Sequence, residues 1–160
     1  MSYLSNPSSI VQIGMIVCDI EKSTKAYADF FGVDVPQIVM TDTVDKTKMT
    51  FNGKRALGRT KQAFFQVGQL TIELLEPDQE ASAWRQHLSE NGEGFHHIAF
   101  LVEDMENEIN RLEEKRLDVV QRGLTSSGGQ YAYVDTRDSL RLWVELLEPG
   151  KRTERKGEGL

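Results

Sequence analysis

Hydrophobic and polar positions follow the same order twice along the chain. VQIGMIVCDIE (11–21) and HHIAFLVEDME (96–106) each pass from a short apolar run into an acidic helix start. At an offset of 85 residues, Ile13/Ile98, Val17/Val102, Asp19/Asp104 and Glu21/Glu106 coincide. LTIELLEP (70–77) and LWVELLEP (142–149) share ELLEP at an offset of 72. Two matched pairs in one order indicate an internal repeat, whose first copy has an interior longer by 13 residues.

Between those ends the copies have similar contents. Apolar runs at strand length predict strands over 10–17, 35–40, 62–67 and 70–76 in the first copy. The second copy predicts strands over 97–102, 118–122, 130–135 and 140–147. In DIEKSTKAYADFFG, Ile20, Ala26, Tyr27, Phe30 and Phe31 form a stripe at helical spacing, with Asp19 as N-cap and Gly32 as the stop. In DMENEINRLEEKRLD, Met105, Ile109, Leu112 and Leu117 share a face behind Asp104. A further helix over 81–92, ASAWRQHLSENG, joins the copies. The expected class is α+β: two tandem βαβββ modules, 10–77 and 95–149, forming one cupped mixed sheet in a single domain over 10–149. The polar start (1–9) and the charged, Gly-rich end (150–160) are expected to be flexible tails.

Side chains alternate across a strand, so parity assigns faces. One face is apolar throughout: Ile13, Met15, Val17; Leu70, Ile72, Leu74; Ile98, Phe100, Val102; Leu142, Val144, Leu146. It is the face expected to carry the helices. The other face holds Gln12, Glu73, His97 and Glu145 among apolar neighbours such as Ile16, Leu75, Leu101 and Leu147. A buried carboxylate is costly unless paired or bound to a metal. The repeat relates Gln12 to His97 and Glu73 to Glu145, and a pseudo-twofold would bring all four to one point. His96 has the opposite parity, and His87 on the joining helix reads as a surface residue.

Length and composition narrow the field. The chain has 160 residues, a formal charge of −6 and one cysteine, Cys18. That excludes an intramolecular disulfide framework or a Cys-rich zinc site, and it argues against a nucleic-acid footprint. No apolar run reaches membrane-spanning length, and MSYLSNPSSI lacks the pattern of a secretory leader, so a cytoplasmic protein is expected. There is no P-loop, no strand-to-helix GxGxxG, no HExxH, no EF-hand loop and no GxSxG. The interior 41–62 is rich in Lys and Arg, with an Asn52-Gly53 turn signal; it reads either as a solvated excursion or as a flexible loop for an anionic tail. Tyr131, Tyr133 and Trp143 are candidates for a pocket wall or for core, and Arg122, Arg137 and Arg141 for anion contacts.

The paired modules, HHIAF and the repeated ELLEP resemble the vicinal oxygen chelate superfamily over about residues 10–149. That superfamily includes glyoxalase I, methylmalonyl-CoA epimerase, extradiol dioxygenases and bleomycin-resistance proteins. The stretch 70–103 looks most like methylmalonyl-CoA epimerases. The resemblance implies metal ligands at Gln12, Glu73, His97 and Glu145, a set similar to that of animal-type glyoxalase I rather than of the epimerases. A site of this kind suits one divalent Zn, Ni, Co or Mn. The implied activity is that of an isomerase or lyase moving a proton next to a carbonyl of a small carbonyl or thioester substrate. Glu145 is then the base and Glu73 its partner. QAFFQV offers Gln62 and Gln66 where the epimerases have an additional acid. The alternative is a non-catalytic binding or resistance protein using the same cleft. Members commonly dimerise, so a homodimer is expected.

Overall fold

The computed structural model describes residue 4 and residues 9–151; the expected tails at 1–9 and 150–160 lie almost wholly outside them. The first half runs β1 (Ile10–Ile16), α1 (Ile20–Phe31), β2 (Val39–Met40), α2 (Val44–Thr47), β3 (Thr50–Phe51), β4 (Lys54–Arg55), β5 (Thr60–Val67) and β6 (Leu70–Pro77). After α3 (Ala83–Asn91) come β7 (Gly94–Leu101), α4 (Met105–Glu114), β8 (Val119–Leu124), β9 (Gln130–Val134), α5 (Arg137–Leu140) and β10 (Trp143–Glu148). The ten strands form one curled mixed sheet in the order β2-β5-β6-β1-β7-β10-β9-β8-β3-β4. β1 and β7 meet antiparallel at its centre. Each is flanked by the last strand of its own copy in parallel, β6 on one side and β10 on the other.

The repeat is built into the helix starts. Asp19 and Asp104 take nearly the same backbone conformation, and each accepts from the N–H three residues on, Lys22 at 3.0 Å and Asn107 at 3.1 Å. The last glutamate of each ELLEP bonds the first helical N–H. Glu76 accepts from Ile20 at 2.8 Å and Glu148 from Met105 at 2.7 Å. Two carboxylates thus satisfy N–H groups that a helix start leaves open and complement its positive end.

Both faces of the sheet are buried. On the outer face, Val17 and Leu74 pack on Ile20 and Ala28 of α1. There too, Val144 and Leu146 pack on Met105, Ile109 and Leu112 of α4. On the inner face, Ile16, Leu75, Tyr131, Tyr133 and Trp143 join Trp84 of α3 and Val44, Met49 and Ala56 of the interior segment. Parity therefore separates two layers of core. The α1 stripe is narrower than its sequence suggests: Ala26 and Phe30 are exposed, and Thr24 is buried in their place. Leu101 is half-exposed at the end of β7.

Two expected strands are shorter. The 35–40 run pairs only at Val39 and Met40, beyond Pro36, which has no N–H to give a ladder. The 140–147 run begins at Trp143, because Leu140 N–H turns back to the Thr136 carbonyl at 2.7 Å and closes α5. The basic interior keeps Lys46, Lys48, Lys54 and Arg55 exposed to solvent and is built into short elements. It crosses to the other half, where β3 pairs with β8 and Asn52 and Gly53, both at positive φ, close the β3–β4 hairpin. No helix among the described residues is long and apolar enough to cross a membrane.

Candidate metal centre

Two cross-strand rows meet at the centre of the sheet. One runs Glu73, Gly14, His97, Trp143 across β6, β1, β7 and β10; the next runs Thr71, Gln12, Ala99, Glu145 across the same strands. Each row has a small residue in its middle, Gly14 or Ala99, over which longer neighbours can lean. The His97 imidazole lies directly over Gly14, where a Cβ would stand 2.0 Å from its Cε1. A glycine inside a strand signals such an approach. Gly14 is the site residue that reading the chemistry-bearing side chains alone passes over.

The four polar residues come together. His97 Nε2 is 3.0 Å from Glu145 Oε2 and 3.4 Å from Glu73 Oε2. One ligating atom from each of Glu73, His97 and Glu145 lies within 4.8 Å of the others, and all three side chains are buried. Gln12 donates from Nε2 to Glu73 Oε2, and Gln62 donates to Glu73 Oε1 at 2.7 Å. Gln66 turns away to the Gly68 carbonyl and Thr71. Glu73 is thus held by two amides, whereas Glu145 Oε2 meets His97 alone.

Burial pushes the Glu73 carboxyl above the usual carboxylate range, with the His97 contact pulling the other way. Burial also opposes a charge on His97, but the Glu145 and Glu73 carboxylates overcome it and lift the imidazole to about 9. Two buried carboxylates facing one imidazole leave an excess of negative charge. A divalent cation would balance it, and the one-nitrogen, several-oxygen donor set fits such an ion.

Gln12, Gln62, Glu73 and Glu145 line a cavity of about 380 Å³, whereas His97 is fully buried and does not reach its surface. Tyr131, Tyr133, Trp84 and Met49 wall it, so the two tyrosines both pack and face the pocket, whereas Trp143 is core. The Tyr133 hydroxyl accepts from Trp84 Nε1 at 3.0 Å, and the Tyr131 hydroxyl from Gln121 Nε2 at 3.2 Å. The interior segment contributes Thr41, Asp42, Thr47, Met49 and Gly58 to the lining, but none of its cations. Lys46 pairs with Asp42, Arg55 with Asp45 and Lys61 with Glu76, while Arg59 bonds the Thr41 carbonyl. Arg122 is bound to Glu106, Arg137 to Asp135 and Glu90, and Arg141 caps α5 on the surface.

Two histidines depart from the sequence reading. His96 is fully buried on the same side as His97, because β7 bulges there. His87 is half-buried, its ring edge-on to His96 with centroids 5.0 Å apart.

The sequence pattern of the glyoxalase/bleomycin resistance protein/dioxygenase superfamily matches residues 11–134. YqjC, an uncharacterized protein of Bacillus subtilis strain 168, is 27% identical over 139 residues, covering 86% of this chain and 89% of its own. A hypothetical protein of Bacillus halodurans C-125 superposes with a TM-score of 0.66 at 25% identity, covering 91% of this chain and 97% of its own. Methylmalonyl-CoA epimerase of Mycobacterium tuberculosis superposes with a TM-score of 0.67 at 20% identity, covering 94% of each chain. At that identity the likeness to the epimerase is one of fold.

Proposed function

Since the chain belongs to the glyoxalase/bleomycin resistance protein/dioxygenase superfamily, we propose that its central cluster holds one divalent ion, Zn, Ni, Co or Mn. The protein then acts as an isomerase or lyase that moves a proton on the carbon next to a carbonyl. The observation that carries this reading is the buried convergence of Glu73, His97 and Glu145 within 4.8 Å, with both carboxylates lining a cavity. A bound ion would supply Lewis-acid polarisation of a substrate oxygen.

The chain's own groups have distinct parts. Glu145 is the base, because no amide donor holds its Oε2, which faces only the His97 imidazole at 3.0 Å. Glu73, oriented by Gln12 and Gln62, receives or returns a proton from the neighbouring row. Gln12 becomes a fourth ligand only if its amide turns to present Oε1. Met49, Trp84 and Leu147 give the cavity an apolar part against which the carbon that loses its proton would lie. A cavity of about 380 Å³ suits a small carbonyl compound or the acyl end of a thioester, with any longer tail outside the mouth.

The test is elemental analysis of purified protein, wild type beside Glu73→Ala and His97→Ala, followed by assays with hemithioacetals and acyl-CoA thioesters. Near one divalent ion per chain, lost in both variants, together with turnover abolished by Glu145→Gln, is the expected result. Wild-type protein that takes up none of the four ions would end the isomerase reading in favour of a binding protein.

A further inference from the structure

Alternation along β7 would send His96 and His97 to opposite faces. The β1–β7 register slips between Gly14 and Met15: Gly14 faces His97 and Met15 faces Phe95, so His96 is the extra residue of a bulge. Both imidazoles are left fully buried, with their Nδ1 atoms 2.9 Å apart. The His96 ring is fixed on its other sides, stacked on Trp143 and edge-on to Tyr133 and His87.

One proton fits between two nitrogens at that distance. His97 turns Nε2 to Glu73 and Glu145. An imidazole that gives its Nε2 lone pair to an ion carries its proton on Nδ1. That N–H has His96 Nδ1 in front of it, so His96 offers a bare Nδ1 and carries its own proton on Nε2, at the cost of a buried N–H without a hydrogen-bond acceptor.

We propose that His96 is the positioning residue of the site: it accepts the His97 Nδ1–H and so holds that ring with Nε2 aimed at the two carboxylates. The inference rests on the metal reading above. In most such sites a carboxylate or a backbone carbonyl accepts this hydrogen bond. An imidazole acceptor orients the ligand without adding a third negative charge beside Glu73 and Glu145.

Long-range proton–nitrogen correlation spectra of ¹⁵N-histidine-labelled protein, with and without zinc, test it directly. The expected result is His97 protonated at Nδ1, its Nε2 shifted by zinc, and His96 neutral with its proton on Nε2. Bound zinc with a proton on His96 Nδ1 would overturn the inference alone. Zinc that leaves His97 Nε2 unmoved would overturn the metal reading and the inference with it. Zinc affinity by chelator competition gives a second measure. His96→Leu is expected to lose about tenfold to hundredfold, and His96→Asn, whose Oδ1 replaces Nδ1 at the same branch point, to stay within about threefold of wild type. A leucine variant that binds zinc like wild type, or an asparagine variant that loses as much as leucine, contradicts the proposal. If the leucine variant does not fold, the asparagine variant and the spectra decide.

Discussion

Gly14→Ala perturbs the site by one methyl group. The added Cβ would stand 2.0 Å from Cε1, 2.2 Å from Nδ1 and 2.6 Å from Nε2 of His97. Favourable carbon contacts lie at about 3.5–4.0 Å, so the ring must withdraw by roughly 1.5 Å. It has little room, being fully buried against Tyr133 and His96. The backbone adds no penalty, since Gly14 is not among the glycines at positive φ. Overpacking of this kind costs about 1–3 kcal/mol. For a chain of this length that lowers the melting temperature by roughly 2–12 °C. If His97 holds the proposed ion, a ring displaced so far also leaves the narrow distance range of a metal bond, and zinc affinity is expected to fall by about tenfold or more. Thermal unfolding in chelator reads the first effect and chelator competition the second. The decisive control is the double variant. With His97→Ala removing the ring, Gly14→Ala is expected to be neutral or to stabilise by about 0.4–1 kcal/mol through the unfolded state. If Gly14→Ala costs the same with and without the ring, the ring does not constrain that position and the argument fails.

The second glutamate of each ELLEP is expected to hold its helix start: Glu76→Ala and Glu148→Ala should each cost about 1–2 kcal/mol in urea unfolding. An unchanged midpoint in either would show that the contact to Ile20 or Met105 contributes nothing. Asp135 is held below the usual carboxylate range chiefly by its hydrogen bonds to Arg137. A depressed carboxylate adds stability above its unfolded pKa and loses it as pH falls through the folded one. The cost of Arg137→Ala should therefore be larger at about pH 7 than at about pH 3, and a pH-independent cost would remove Asp135 from the account.

The sequence by itself determined the repeated elements and their faces. Strand alternation is local, so Val17, Leu74 and Val144 could be assigned to the helix-covered side, and Gln12, Glu73, His97 and Glu145 to the other, without knowing which strands pair. The repeat added the pseudo-twofold that brings these four to one place. It also matched Asp19 with Asp104 as caps, because a helix start needs an acceptor within three residues of chain. The tertiary structure decided what depends on partners far along the chain. A bulge is a mismatch between two strands, so neither β1 nor β7 alone announces that His96 turns inward. The hairpin at 50–55 lies on β8 because that edge offered free N–H and carbonyl groups, which nothing in its own residues records. Lys46, Arg55, Arg59 and Lys61 of the interior 41–62 found carboxylates and a carbonyl within reach, and none of its cations lines the cavity. Gly14 shows the boundary most plainly: its need to be glycine comes from an imidazole 83 positions away, set over it by strand pairing.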